Sequence, residues 1–196
     1  MTSISRRQGW RAQGLGFMGA AAVLLLWGRT PVLASAGDAI PLVQAVKTGD
    51  GTRVRALLAT PVADVNVAEP DGTTALHWAA HHGNLDLVTR LIRARAHVNT
   101  KNRYGVAPIW LAAVSGHEAV VEALLRAGAD PHTTRGDSGE TVLMVAARSG
   151  YPGVLQRLLG HGADPNARDE VRGQTALMWA SAEGHPAAAR VLVDAG

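Results

Sequence analysis

At 196 residues, with 47% hydrophobic and 18% charged content, the chain can form one or two packed domains, and its composition is not that of a membrane protein. The absence of cysteine excludes disulfides, thiol catalysis and thiolate metal sites together. The formal net charge of +3 comes from the first 36 residues: Arg6, Arg7, Arg11 and Arg29 leave 15 Lys and Arg after them against all 16 Asp and Glu, a net charge of −1. With charge that balanced and dispersed, neither nucleic acid nor anionic lipid is expected as a partner.

In chain order, the first element is an export signal. Arg6, Arg7 and Arg11 precede an uncharged apolar run from Leu15 to Trp27, and Ala34-Ser35-Ala36 supplies the small residues that a signal peptidase needs. Thirteen residues fall short of the roughly 20 that a membrane-spanning helix requires, which favours a cleaved signal over a retained anchor. Residues 1–36 are therefore read as a cleavable signal peptide and 37–196 as the mature domain. Ser5-Arg6-Arg7 resembles the start of a twin-arginine signal and Arg29 fits that route, whereas Gly9 stands where that pattern has a large apolar residue. Export by either route is expected, to the periplasm or the medium, with no membrane attachment after cleavage.

The mature chain repeats itself. Gly72, Gly105, Gly139 and Gly173 are spaced by 33, 34 and 34 residues, and Gly83, Gly116, Gly150 and Gly184 keep the same step, with Gly49 continuing the series upstream. Ala96, Ala129 and Ala163 open the related segments AHVN, ADPH and ADPN. Each unit reads as a turn and two short antiparallel helices. Thr74, Thr141 and Thr175 are placed to cap first helices, as in Ala75 to His82, and Pro108 suits a first helical position. The first helices present Leu76, Ala79 and Ala80, then Ile109, Ala112 and Ala113, then Leu143, Ala146 and Ala147. The glycine after each can take the left-handed conformation that ends a helix. Second helices carry apolar stripes at Leu87, Val88, Leu91 and Ile92, at Val120, Val121, Leu124 and Leu125, at Val154, Leu155, Leu158 and Leu159, and at Ala188, Ala189, Leu192 and Val193. Helix pairs this short cannot bury their own apolar faces, so they must stack.

The segment GTTALHWAAHHGNLDLVTRLIRARAHVN resembles an ankyrin repeat, whose pattern runs G-x-T-P-L-H-x-A-A-x-x-G-H-x-x-V-V-x-L-L-x-x-G-A-D-x-N. The resemblance covers about residues 38–196, as units 71–103, 104–137, 138–171 and 172–196 after an atypical first unit, 38–70, with Leu42, Ala45, Val54, Leu57 and Leu58 in core positions. It implies an all-α solenoid of stacked helix-turn-helix units with short β-turn tips. The pattern's histidine is His77 in the second unit, but Trp110, Met144 and Met178 follow at that position, which exchanges a polar bridge for apolar contact. The fifth unit stops at Gly196, short of its closing turn, so a longer natural chain is expected.

His77 and His81 have the spacing of a shared zinc pair, but Trp78 stands where a zinc protease has glutamate and no third ligand is evident, so no metal is expected. No phosphate loop follows a strand, and Ser138 and Ser149 sit in no nucleophile elbow; no cofactor and no catalysis is expected. Asp64, Asp130 and Asp164 read as turn residues, Trp78, Trp110 and Trp179 as aromatics of the core or its edge, and His82, His117, His161 and His185 as solvated or turn-stabilising. What remains is a surface. The resemblance implies a concave face for a partner protein, made of turn tips and exposed first-helix positions, on a chain expected to be monomeric. Mapped residue by residue, the second unit offers Asp71, Thr73, His81 and His82, and the third Arg103, Tyr104, Val106 and Ser115. The fourth offers Asp137, Glu140 and Arg148, and the fifth Arg172, Gln174 and Glu183. Arg103 and Tyr104 are the residue types that most often carry interface energy. Two further readings use the same scaffold: the targeting portion of a longer exported enzyme, or a secreted effector that meets a host protein.

Overall fold

A computed structural model of the chain describes residues 40–60 and 64–196. The expected signal peptide and its cleavage after Ala36 lie outside the described residues, as does the side chain of Asp137. The described helices come in pairs: α1 (Ile40–Lys47) with α2 (Gly51–Leu58), α3 (Ala75–His81) with α4 (Leu85–Arg93), and α5 (Pro108–Val114) with α6 (Glu118–Arg126). Two more pairs follow, α7 (Val142–Arg148) with α8 (Pro152–Gly160), and α9 (Ala176–Ala182) with α10 (Pro186–Asp194). The only strands among the described residues, β1 (Thr134–Arg135) and β2 (Glu140–Thr141), form an antiparallel tip with Thr134 opposite Thr141. This is the all-α solenoid the repeats imply. First helices pack in one row from α1 to α9 and second helices in another from α4 to α10.

Local chemistry explains the short first helices. Thr74, Thr141 and Thr175 are N-caps in extended conformation, and the hydroxyls of Thr141 and Thr175 accept from the backbone N–H of Met144 (3.2 Å) and Met178 (3.4 Å). Thr74 differs: its hydroxyl lies 2.8 Å from Nδ1 of His77, because a histidine three residues on offers that hydroxyl a nearer partner. Pro108 opens α5, where its missing N–H costs nothing. His82, read as the end of the second unit's first helix, is its C-cap instead.

The glycine after a first helix takes a left-handed backbone, and at Gly83, Gly116 and Gly150 it also leaves room for a side chain of the next unit. Gly116 has φ +74°, and a Cβ there would stand 2.6 Å from the Tyr151 ring, which heads α8 in the next unit. Gly184 shares the backbone (φ +72°) but faces open space. Gly116→Ala is therefore expected to cost about 2–3 kcal/mol, and Gly184→Ala only the left-handed penalty of about 1 kcal/mol. Urea unfolding of the two variants checks this, and equal losses would show that the ring contact contributes nothing.

The core lies between the two rows. Leu76, Ile109, Leu143, Val121, Leu124, Leu155 and Leu158 are fully buried, and Leu42, Ala45 and Val54 extend the core into the first pair, with Leu57 and Leu58 packed at its edge. Val193 was expected in the last stripe, yet it is 62% exposed, because no described element packs on that side of α10. Met144 is buried as expected, and its sulfur also receives the Thr141 N–H at 3.4 Å; Met178 at the same position is 47% exposed for the reason that exposes Val193. The loops interlock through asparagines. Asn99 donates to Gly128 O (2.9 Å) and accepts from Asp130 N (2.9 Å), and Asn66 does the same with Arg95 O (3.2 Å) and His97 N (2.7 Å). Asp64, Asp130 and Asp164 each accept from the backbone N–H two residues on, as turn residues do.

Candidate partner-binding face

The tips are cross-linked before any partner arrives. Asp71 accepts from Thr73 N (2.9 Å), and that bond holds its carboxyl below the usual range. Asn102 accepts from both Tyr104 N and Val106 N (3.0 Å each), and Arg103 N donates to Asp71 O at 2.7 Å, which ties the second tip to the third. Glu170 N donates to Ser138 O at 2.9 Å and ties the fourth to the fifth. Side chains on these tips project from a braced backbone.

The sequence-derived residues separate by burial. His81, His82, Arg103, Tyr104, Arg172 and Glu183 are exposed, and Asp71, Val106, Ser115, Arg148 and Gln174 are half-buried. Thr73 and Glu140 are corrections, since both are buried and turned inward: the Thr73 hydroxyl accepts from Asn102 Nδ2 (3.3 Å), and Glu140 pairs with Arg148 (2.7 Å) and Arg135 (3.4 Å). The position after the turn glycine points back under the tip, so neither residue is a surface contact.

Three polar–aromatic groups stand on the tip and first-helix face. In the first, Trp78 lies beside His81 and His82 with ring centroids 6.1 and 6.0 Å away, its Nε1–H donates to Glu69 (2.8 Å), and Lys47 sits 4.5 Å over its ring. In the second, the Arg103 guanidinium covers the Tyr104 ring at 5.3 Å and donates to its hydroxyl at 3.2 Å, while Tyr104 stays 60% exposed. In the third, Arg135 covers Trp110 and Arg148 covers Trp179 at 5.4 and 5.3 Å, with Glu140 between the two guanidinium groups. The sequence reading missed Lys47, Glu69 and Arg135 here. They come from neighbouring units and occupy positions that the repeat leaves variable, so the period carried no signal for them.

The histidines serve the scaffold. His77 is fully buried; Thr74 N–H donates to its Nδ1 (3.1 Å), so Nε2 carries the proton and donates to Val106 O (3.0 Å). With both nitrogens engaged, His77 cannot share a metal with His81. Among the described residues no group of three or more His, Cys, Asp or Glu is arranged to hold a metal ion. His117 and His185 reach back to His81 O (3.1 Å) and Arg148 O (3.0 Å), which stabilises the preceding unit's turn.

A family profile described as ankyrin repeats (3 copies) matches residues 42–135 and 132–196. The chain belongs to the ankyrin-repeat family, whose repeats are protein–protein interaction modules. It is 42% identical over 79 residues to ankyrin repeat-containing protein ITN1 of Arabidopsis thaliana, a match of 39% of this chain and 13% of the relative. It is 36% identical over 81 residues to Notch-regulated ankyrin repeat-containing protein A of Danio rerio, covering 40% of this chain and 72% of the relative. Palmitoyltransferase AKR1 of Lachancea kluyveri is 36% identical over 67 residues, 34% of this chain and 9% of that enzyme. The chain thus spans a small part of the plant and yeast relatives. No described helix is long and apolar enough to cross a membrane.

Proposed function

We propose that this chain is an exported binding module that holds a partner protein on its tip and first-helix face. The observation that carries the reading is the Arg103–Tyr104 pair: a large aromatic left 60% exposed, stacked under a guanidinium, on a tip hydrogen-bonded to its neighbour. Side chains held this way lose little freedom on association, and Tyr and Arg are the types whose truncation most often costs an interface 2 kcal/mol or more, by about the usual measure. The module works by rigid presentation as a monomer and performs no chemistry of its own. The basic start, apolar run and small-residue site of residues 1–36 support export.

The natural partner, recovered with the full-length protein from the extracytoplasmic fraction, should bind Arg103→Ala/Tyr104→Ala at least about 30-fold more weakly, with unchanged thermal unfolding. Undiminished binding would move the interface off this tip. A second reading, a targeting portion of a longer exported enzyme, is supported by the yeast palmitoyltransferase, of which the matching stretch is a small part. The intact mass of the natural protein separates the two: residues 37–196 alone mean a self-contained module, and a much larger mass favours the enzyme. A host-directed effector would differ only by recovery from the medium.

A further inference from the structure

We propose that the cleft between the fourth and fifth units is a subsite for an acidic side chain in an extended segment of the partner. The proposal rests on the reading of this face as partner-binding. The cleft has a volume of about 230 Å³ and is lined by Arg135 and Glu140 of the β1–β2 tip, Arg148 at the end of α7, Asp169 and Arg172 of the following tip, and Trp179 of α9.

Guanidinium donors exceed the acceptors available to them. Glu140 is the one carboxylate that Arg135 and Arg148 share. The Asp169 carboxylate is occupied by backbone, accepting from Arg172 N (2.6 Å), Val171 N (3.1 Å) and Gln174 N (3.1 Å), and the Arg172 bond above all holds it below the usual range. Arg172 itself is exposed and has no carboxylate within 4.0 Å among the described residues. Each guanidinium carries five N–H donors in a planar fork that suits a carboxylate.

A second observation points to the same place. The buried side-chain polar atoms that lack a hydrogen-bond partner among the described residues are Glu140 Oε1, Gln174 Oε1 and Trp179 Nε1, all in these two units. Glu140 Oε1 lies 2.7 Å from Arg148 as an ion pair, and Arg148 keeps further N–H donors beyond that contact for an incoming oxygen. The Trp179 indole can only donate, and it faces the Asp169 carboxylate without completing a hydrogen bond to it, so a better-placed acceptor in the cleft would take it. Buried polar groups without partners are uncommon in folded chains, and two of these three, Glu140 and Trp179, line this cleft: the Trp179 N–H is the donor an acidic ligand engages, while the Glu140 oxygen stays with the guanidinium groups.

Charge and rim select the ligand class. Among the described lining residues three guanidinium groups face two carboxylates, an excess of one positive charge that matches a single carboxylate better than a doubly charged phosphate. Val171, 72% exposed, gives the rim an apolar neighbour. A peptide in which acidic and apolar residues alternate fits both features.

The test titrates full-length, nitrogen-labelled protein with a fluorescein-labelled peptide of alternating glutamate and valine. Its counterpart carries glutamine for glutamate, and a third carries phosphoserine. The acidic peptide should bind at least about tenfold more tightly than the glutamine peptide, and the Trp179 indole resonance, assigned through Trp179→Phe, should move while that of Trp78 stays. Arg135→Gln/Arg172→Gln, with unchanged melting, should abolish the preference, whereas Arg93→Gln, exposed at the end of α4 in the second-helix row, should leave it intact. Equal affinity for the acidic and glutamine peptides, an acid preference that survives the double variant, no binding of the acidic peptide, or tighter binding of phosphoserine would each overturn the subsite. Retention of the natural partner through Arg103 and Tyr104 would then still stand, so the two readings fail separately.

Discussion

Leu124→Ala is expected to remove about 3–5 kcal/mol of unfolding free energy. Leu124 is fully buried in α6, which packs on α5 within its own unit and on α4 and α8 in the units either side. Truncation deletes the transfer free energy of the lost atoms and leaves a cavity that three packed helices cannot close. Stacked repeats derive their stability from neighbour interfaces, so a weakened central unit uncouples the units on its two sides. Val193→Ala supplies the contrast: at 62% exposure it should change stability by less than about 0.5 kcal/mol. Urea unfolding gives the two values, and hydrogen exchange shows whether opening spreads from α6. If both substitutions cost the same, the nearest-neighbour account of this array fails.

His77 produces the second large effect, and this one depends on pH. His77→Ala leaves Thr74 N–H and Val106 O without partners and opens a buried cavity, a loss of about 3 kcal/mol. Burial pushes the folded-state His77 below the ordinary histidine range. Protonating Nδ1 would set its proton against the Thr74 N–H that now donates to it. The unfolded chain therefore binds a proton that the folded chain refuses, and stability rises with pH in that window. The contribution is complete above about pH 6.5 and is lost as pH falls below it, at no more than about 1.4 kcal/mol per pH unit for one group. Thermal melts from neutral to mildly acidic pH should show this slope in the natural sequence and a shallower one in His77→Gln. Parallel curves would mean that His77 is not the group responsible.

Legibility differed between scaffold and face. Glycine and alanine registers, threonine caps and apolar stripes were readable because each follows from bonds within about one helical turn or from a repeat at fixed separation. The same logic misplaced Val193 and Met178, whose burial needs a packed neighbour that the described residues do not provide. Thr73 and Glu140 looked like tip residues by alignment, yet Thr73 meets Asn102 and Glu140 meets Arg148 inside the fold. Asn66 and Asn99 were visible within their segments, but their bonds run 29 and 31 residues along the chain, beyond any local pattern.

The amino-acid sequence by itself determined the period, the two-helix unit, the caps and the stacked all-α architecture, because these depend on local hydrogen bonding and on burying a stripe that one unit cannot cover alone. Only the tertiary structure decided which cation lies over which tryptophan and which carboxylate stays accessible. Lys47 meets Glu69 across 22 residues and Arg157 meets Glu118 across 39. Such pairs join positions far apart along the chain and form only once its helices have packed, and the repeat leaves those positions free to vary while the core beneath them stays the same.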